Sequence, residues 1–249
     1  MFNRRYTFES LVKGASNHEA YDAALRIADT ANSVPTHLIL MGDYATGKTH
    51  LLHAIGNQME ENHIVQNLFY CTGRQLGSQI NEAVANHTTE KLCQQYREYA
   101  ILLIDSIQDM GIEPTERDVF FRILDDAHRN NRQIVITVDA IDGSTMKDCQ
   151  WDDFFQQATV INLQPPDDAM RKEILRREVQ EDNLSVDDEV IEYILETCSN
   201  MNIKELKGVL VRTIVLSSLM GTDISVDVAE FCIAEYVKMS DTTPAKEGM

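Results

Sequence analysis

Positive charge is scarce in this sequence. Its 249 residues carry 22 Lys and Arg against 40 Asp and Glu, a net charge of −18 at pH 7. So acidic a chain repels the phosphate backbone that nucleic-acid binders attract, so unaided DNA binding is disfavoured unless one local basic strip survives the average. Long apolar runs are missing too: none approaches the ~20 residues of a membrane helix, which leaves no basis for a membrane role. The opening MFNRRYTFES has basic residues but no apolar stretch behind them, so a secretory leader is not expected and a cytoplasmic location is. The five cysteines, Cys71, Cys93, Cys149, Cys198 and Cys232, form no C-x-x-C pair. In a reducing cytosol they are expected to be small packing residues. There is no internal repeat and no low-complexity tract.

What remains is ordinary globular material, 43% hydrophobic and 25% charged, in a chain long enough for one large domain or two modest ones. Short β-branched runs alternate with segments at helical spacing, the pattern of an α/β protein with a mainly parallel sheet. Strands are expected at His37–Gly42, Asn67–Cys71, Ala100–Asp105, Gln133–Asp139 and Thr159–Leu163, with helices near Asn17–Asn32, Lys48–Glu61, Gly73–Asn86, Thr89–Gln95 and Thr115–Asn130. After Pro165-Pro166 the strand pattern stops. Helical stretches follow near Asp168–Asp182, Asp187–Ser199, Ile203–Met220 and Val226–Met239, broken by short polar or glycine-containing connections. The expected organisation is a three-layered α/β nucleotide-binding core over 1–165, a small all-helical lid over 166–239 and a disordered polar tail over 240–249.

Residues 42–49, Gly42-Asp43-Tyr44-Ala45-Thr46-Gly47-Lys48-Thr49, fit G-x-x-x-x-G-K-[ST] between an apolar strand and a helix, the context that this phosphate-binding loop requires. Gly42 and Gly47 let the backbone curl round phosphates, the helix start offers free N–H groups, Lys48 neutralises β/γ charge and the Thr49 hydroxyl ligates magnesium. The expected ligands are ATP or ADP with Mg2+. Downstream, Ile101-Leu102-Leu103-Ile104-Asp105 ends an apolar strand in a carboxylate, which would place Asp105 beside that magnesium as a second metal ligand and catalytic group; the competing reading is a turn-forming Asp. A further apolar strand ends in Asp139, a candidate to sense the γ-phosphate or its attacking water, or else another turn residue.

Beyond these motifs, YTFESLVKGASNHEA, GDYATGKTHLLHAIGN, LLIDSIQ, the Phe120-Phe121 pair, RQIVITVD, LQPPDDAMRKEIL and NIKELKGVL occur in order. In these stretches, covering nearly the whole chain, the sequence resembles the AAA+ domain of the bacterial replication initiator DnaA family, including shorter Hda-like relatives. The resemblance implies an AAA+ core followed by a helical lid. It also implies that Tyr6, Phe8, Val12 and Asn17 help to enclose the adenine. His50 follows Thr49 at the nucleotide site. Because KTHLLHAIG is itself a family run, His50 and His53 are expected to pack the helix and not to bind zinc.

The departures from the family bear on activity. Ser106 stands where the family has a second acid that polarises water. A gap-free alignment on QPPD puts Phe154 where the family has an arginine that reaches a neighbour's γ-phosphate, with Arg171 as a substitute donor. Such a finger is worth ~10³–10⁵ in rate. The lid arginine corresponds to Lys204, which keeps the charge without the planar fork. The family's single-stranded-DNA strip corresponds to Asn81, Glu113 and Thr115, with neither apolar nor basic character. No module for reading duplex DNA is expected after the lid. Nor does MFNRRYTF carry an evident clamp-binding motif. Three functions are therefore weighed: a nucleotide-bound regulator of replication initiation that docks on the initiator or another replication protein through AAA+ faces, as a homo- or hetero-oligomer; an active ATPase of the initiator or helicase-loader type; and a scaffold with a vestigial loop. The first fits best, and whether the chain is an enzyme stays open.

Overall fold

The computed structural model describes residues 2–30, 37–63, 67–139, 154, 156–181 and 184–242, without the side chains of 30, 115 and 237–242. The order of elements in the first part is α1 (His18–Thr30), β1 (His37–Gly42), α2 (Lys48–Glu61), β2 (Leu68–Thr72), α3 (Gly73–Ala85), α4 (Thr89–Tyr96), β3 (Ile101–Asp105), a 3-10 turn (Ile107–Met110), α5 (Pro114–Arg129), β4 (Gln133–Asp139) and β5 (Ala158–Leu163). All five strands pair in parallel in the order β2-β3-β4-β1-β5.

The central strands β1, β3 and β4 are largely apolar and almost wholly buried because helices cover both faces of the sheet there. Alternate residues then feed opposite layers. Ile39, Leu102, Ile104, Ile134 and Ile136 join residues of α3, α4 and α5 in one buried cluster. Leu38, Leu40, Ile101, Leu103 and Val135 join residues of α1, α2 and the N-terminal segment in the other. The result is the expected three-layered α/β fold. Strand bounds differ from the expectation by at most one residue. The start of α5 is set by chemistry: Pro114 occupies its first turn and Glu113 caps it, with the Glu113 N–H donating to Glu116 Oε2 at 2.7 Å. The 3-10 turn after Asp105 was not expected.

Parallel register fixes where chemistry is possible. Gly42 on β1 pairs with Asp139 on β4 and with Leu163 on β5, while Thr72 on β2 pairs with Asp105 on β3. The phosphate loop and both carboxylates therefore leave the sheet at the same, C-terminal, edge, where open α/β sheets bind ligands.

Contacts divide the chain into two compact units, Met1–Pro165 and Pro166–Met249. The second holds α6 (Asp168–Glu181), α7 (Asp188–Thr197), α8 (Ile203–Met220) and α9 (Val226–Thr242). They enclose a core that includes Leu175, Ile191, Ile194, Leu206, Leu210 and Ala229. Asn202 starts α8 with a capping box: its side chain accepts from the Lys204 and Glu205 N–H groups and the Glu205 carboxylate accepts from its own N–H. Gly221 ends α8 at φ 65°. Of the expected tail, 243–249 lies outside the described residues.

Candidate nucleotide and metal site

Three backbone conformations shape the loop between β1 and α2. Gly47 caps α2 at φ 102° without any side-chain cap, so the first N–H groups of the helix have no side-chain acceptor. Ala45 adopts φ 64°, a left-handed conformation rare for a residue with a Cβ. Gly42 has no room for a side chain, since a Cβ there would lie 2.5 Å from the Leu163 carbonyl oxygen. The Thr46 hydroxyl donates to the Asp43 carbonyl at 2.9 Å and closes the loop on itself. Tyr44 projects outward, 58% exposed.

Lys48 is buried, and its ammonium donates to the carbonyls of Gly42 at 2.8 Å and Asp43 at 2.6 Å. It also pairs with Asp139 Oδ1 at 2.9 Å. Asp139 is thus held at the loop by charge, and its own N–H donates to Gln108 Oε1 at 3.2 Å. The Thr49 hydroxyl donates to Asp105 Oδ1 at 3.1 Å. A buried carboxylate and a hydroxyl together form a hard oxygen donor set of the kind magnesium takes, and the uncapped helix start suits phosphate. The residues present therefore fit a magnesium-nucleotide.

Two further groups on Asp105 carry no sequence motif. Thr137, fully buried on β4, donates to Asp105 Oδ1 at 2.5 Å and accepts the Ser106 N–H at 2.7 Å. Tyr70 on β2 directs its hydroxyl at Asp105 Oδ2 at 3.5 Å. Burial and the Asp105 charge push the Tyr70 phenol above its ordinary pKa, so it stays a donor. Ser106 itself sits at φ 55°, at the head of the 3-10 turn. The signal that would have found Thr137 is a hydroxyl residue inside an otherwise apolar central strand, two positions before Asp139.

The N-terminal segment straps across α2. Tyr6 stacks on His50 at 4.7 Å between centroids, and the His50 Nε2 lies 2.9 Å from the Thr7 carbonyl and 3.2 Å from the Ser10 hydroxyl. Asn57 donates to the carbonyls of Asn3 and Tyr6, both at 2.8 Å. His53 Nδ1 accepts the Asn3 N–H at 3.4 Å, and its ring meets Tyr70 at 4.7 Å. Both histidines are thus occupied in packing the strap. Phe8 and Val12 are buried, and buried Asn17 bonds the Val12 carbonyl and the Gly14 N–H, both at 2.9 Å. The strap reaches the phosphate loop where Leu11 Cδ1 would lie 3.8 Å from a Cβ on Gly47.

Lys204 lies in the second unit, exposed in the first turn of α8. Two expectations about arginine chemistry change. Phe154 is not an exposed side chain: it is 7% exposed, inside the sheet's own core, and stacks on His37 at 5.8 Å. Arg171 is no substitute donor, because its buried guanidinium binds the carbonyls of Ser199, at 2.9 Å, and Met201 within its own unit. Between Arg132 and Arg171 the sequence contains no arginine at all. Asn81 lies on α3, and Glu113 and Thr115 at the start of α5. No helix of the described residues is long and apolar enough to cross a membrane.

The family model described as the bacterial DnaA ATPase domain matches residues 2–149. The chromosomal replication initiator protein DnaA of Caldanaerobacter subterraneus subsp. tengcongensis is 30% identical over 237 residues, which are 94% of this chain and 53% of that protein. The chain thus spans about half the length of the curated relatives it matches. Among solved structures, domain III of the Thermotoga maritima replication initiation protein DnaA superposes with a TM-score of 0.86 at 26% identity, over 96% of this chain and 99% of that one. AMPPCP-bound DnaA from Aquifex aeolicus matches with a TM-score of 0.75 over 89% of this chain and 67% of that one; at 24% identity that likeness bears on the fold.

Proposed function

Because the chain belongs to the bacterial DnaA ATPase-domain family, we propose that it is a nucleotide-bound regulator of replication initiation that works through protein partners and hydrolyses ATP weakly or not at all. The observation that carries this reading is an imbalance at one site. The groups that grip a ground-state nucleotide converge, with Lys48 paired to Asp139 at 2.9 Å and Thr49 bonded to Asp105 at 3.1 Å. The group that would polarise attacking water is replaced by Ser106, and the segment that would supply an arginine has none.

In this reading the loop backbone from Gly42 to Gly47 wraps the phosphates and Lys48 neutralises their charge. Thr49 and Asp105 hold magnesium, which when bound supplies charge stabilisation at the β/γ-phosphates. Tyr6, Phe8, Val12 and Asn17 shape the adenine end, with His50 setting the position of Tyr6. Asp139 monitors the γ end through Lys48. A relative bound to AMPPCP supports adenine nucleotide as the ligand. The acidic net charge and the polar or acidic residues Asn81, Glu113 and Thr115 favour protein over DNA as the partner. The reading also keeps the protein in the cytoplasm, as a homo- or hetero-oligomer through its AAA+ faces.

Calorimetry with Mg-ATP and Mg-ADP tests the binding half: wild type binds and Lys48→Ala does not, and equal affinity in the two would sink it. Nucleotide should also raise the unfolding temperature, since it binds only the folded state. Turnover tests the other half. Because the missing groups act on the transition state and not on ground-state binding, isolated protein should turn over far below ~1 s⁻¹, the low end for enzymes. Turnover near that rate, abolished by Lys48→Ala, would establish the active-ATPase alternative instead.

A further inference from the structure

Among the described residues Asp105 receives three hydroxyls, of which Thr49 alone follows directly from the phosphate loop. Thr49, on α2, can give a lone pair to a metal and still donate its one proton to Asp105, but it is then tied to the metal and holds the carboxylate only from the metal's side. An anchor independent of the metal has to come from elsewhere. Thr137 is built for that task. Its hydroxyl is wholly buried, donates to Asp105 Oδ1 at 2.5 Å, and accepts the Ser106 N–H at 2.7 Å, so two neighbours hold it facing the carboxylate. On the other side, among the described residues, only Tyr70 addresses Oδ2, at 3.5 Å, the long end of a hydrogen bond. Tyr70 is itself braced by the His53 ring at 4.7 Å and the Phe2 ring at 5.6 Å.

We propose that Thr137, assisted by Tyr70, is a positioning residue that fixes the Asp105 carboxylate for magnesium, and so sets how strongly metal and nucleotide binding are coupled. The inference rests on the magnesium-nucleotide reading above. Partners of this kind orient a metal's ligands without touching the metal, and their loss typically costs ~10–100-fold in metal affinity. A structural role alone would have Thr137 serving only the Ser106 N–H. The two roles differ in what they do to metal dependence.

The experiment measures ATP affinity by calorimetry with Mg2+ and again in EDTA, for wild type, Thr137→Val, Thr137→Ser and Tyr70→Phe. Valine keeps the shape and removes the hydroxyl, and serine restores it. The expected result is that Mg2+ strengthens binding at least ~10-fold less in Thr137→Val than in wild type. Thr137→Ser should keep the enhancement, Tyr70→Phe should lose part of it, and affinity in EDTA should stay the same in all four. The proposal is overturned if Thr137→Val responds to Mg2+ like wild type, if valine and serine lose the response equally, or if Thr137→Val weakens binding as much in EDTA as in Mg2+. Should Thr137→Val not fold, Tyr70→Phe decides, and an unchanged enhancement there overturns the proposal. A wild type that binds no nucleotide under either condition would remove the underlying reading, a result distinct from all of these.

Discussion

His37 opens β1 as a polar side chain in an apolar layer. It is 1% exposed, its Nε2 lies 2.9 Å from His128 Nδ1, and its Nδ1 is buried with no hydrogen-bond partner among the described residues. Burial first, and the charge of His128 second, lower its pKa from 6.5 to about 4. An unfolded His37 therefore binds a proton that the folded one refuses between those values. This contribution to stability is complete above pH 6.5 and is lost as pH falls from there through about 4. Urea unfolding of wild type should move to lower midpoints between pH 7 and 4.5, and His37→Leu should show a shallower decline over the same range. Identical slopes would dismiss the histidine as the cause. The neighbour that stacks on it, Phe154, shows what an alignment leaves out. A gap-free count fixes an alignment column but not whether that column faces solvent. Phe154→Arg would accordingly not create a finger; it would bury an unpaired charge and unfold the sheet layer.

Helix α3 meets the loop after Asp105 through two glycines one turn apart. A Cβ on Gly77 would come 1.7 Å from the Met110 carbonyl oxygen, and one on Gly73 2.3 Å from that of Ser106. Backbone atoms cannot swing aside as a side-chain tip can. Gly77→Ala should therefore displace the 3-10 turn, and with it the Gln108 contact to Asp139, lowering both unfolding stability and nucleotide affinity. The opposite sign is expected at Gly208, inside α8, where a Cβ would meet nothing within 4 Å. Gly208→Ala should stabilise by roughly 0.5–1 kcal/mol, because alanine loses less backbone freedom in a helix. Chemical denaturation of both variants checks the pair, and a destabilised Gly208→Ala would contradict the open surroundings of that site. These glycines also mark the limit of what the sequence discloses. The phosphate loop, Asp105 and the strand bounds were legible because each is signalled by adjacent residues: a glycine spacing, or an apolar run cut by a carboxylate. Thr137, Tyr70 and the glycine contacts were not, since each acquires its meaning from a partner more than 25 residues away. The one local signal, a hydroxyl in an apolar strand, does not say what that hydroxyl meets.

For the whole molecule the question is what an AAA+ unit of this kind does in a row of others. Head-to-tail assembly needs every member to offer two different faces, one that receives a neighbour's charge and one that donates it. In the reading proposed above the receiving side is the nucleotide site, with Lys48, Thr49 and Asp105 grouped at the sheet edge. The donating side is poor along the segment to which the family resemblance points, since no arginine occurs between Arg132 and Arg171 and the latter is spent on two carbonyls of its own unit. A subunit that receives without donating should end a filament and not extend it. We therefore expect that adding this protein to an ATP-loaded initiator shortens its assemblies, with no DNA contact needed, as followed by analytical ultracentrifugation. Lys48→Ala, unable to hold nucleotide on the receiving face, should lose that effect. If wild type leaves the size distribution unchanged, the protein does not cap. If Lys48→Ala caps equally well, capping does not run through the nucleotide face, and the asymmetry derived from Lys48 and the missing arginine is not its cause.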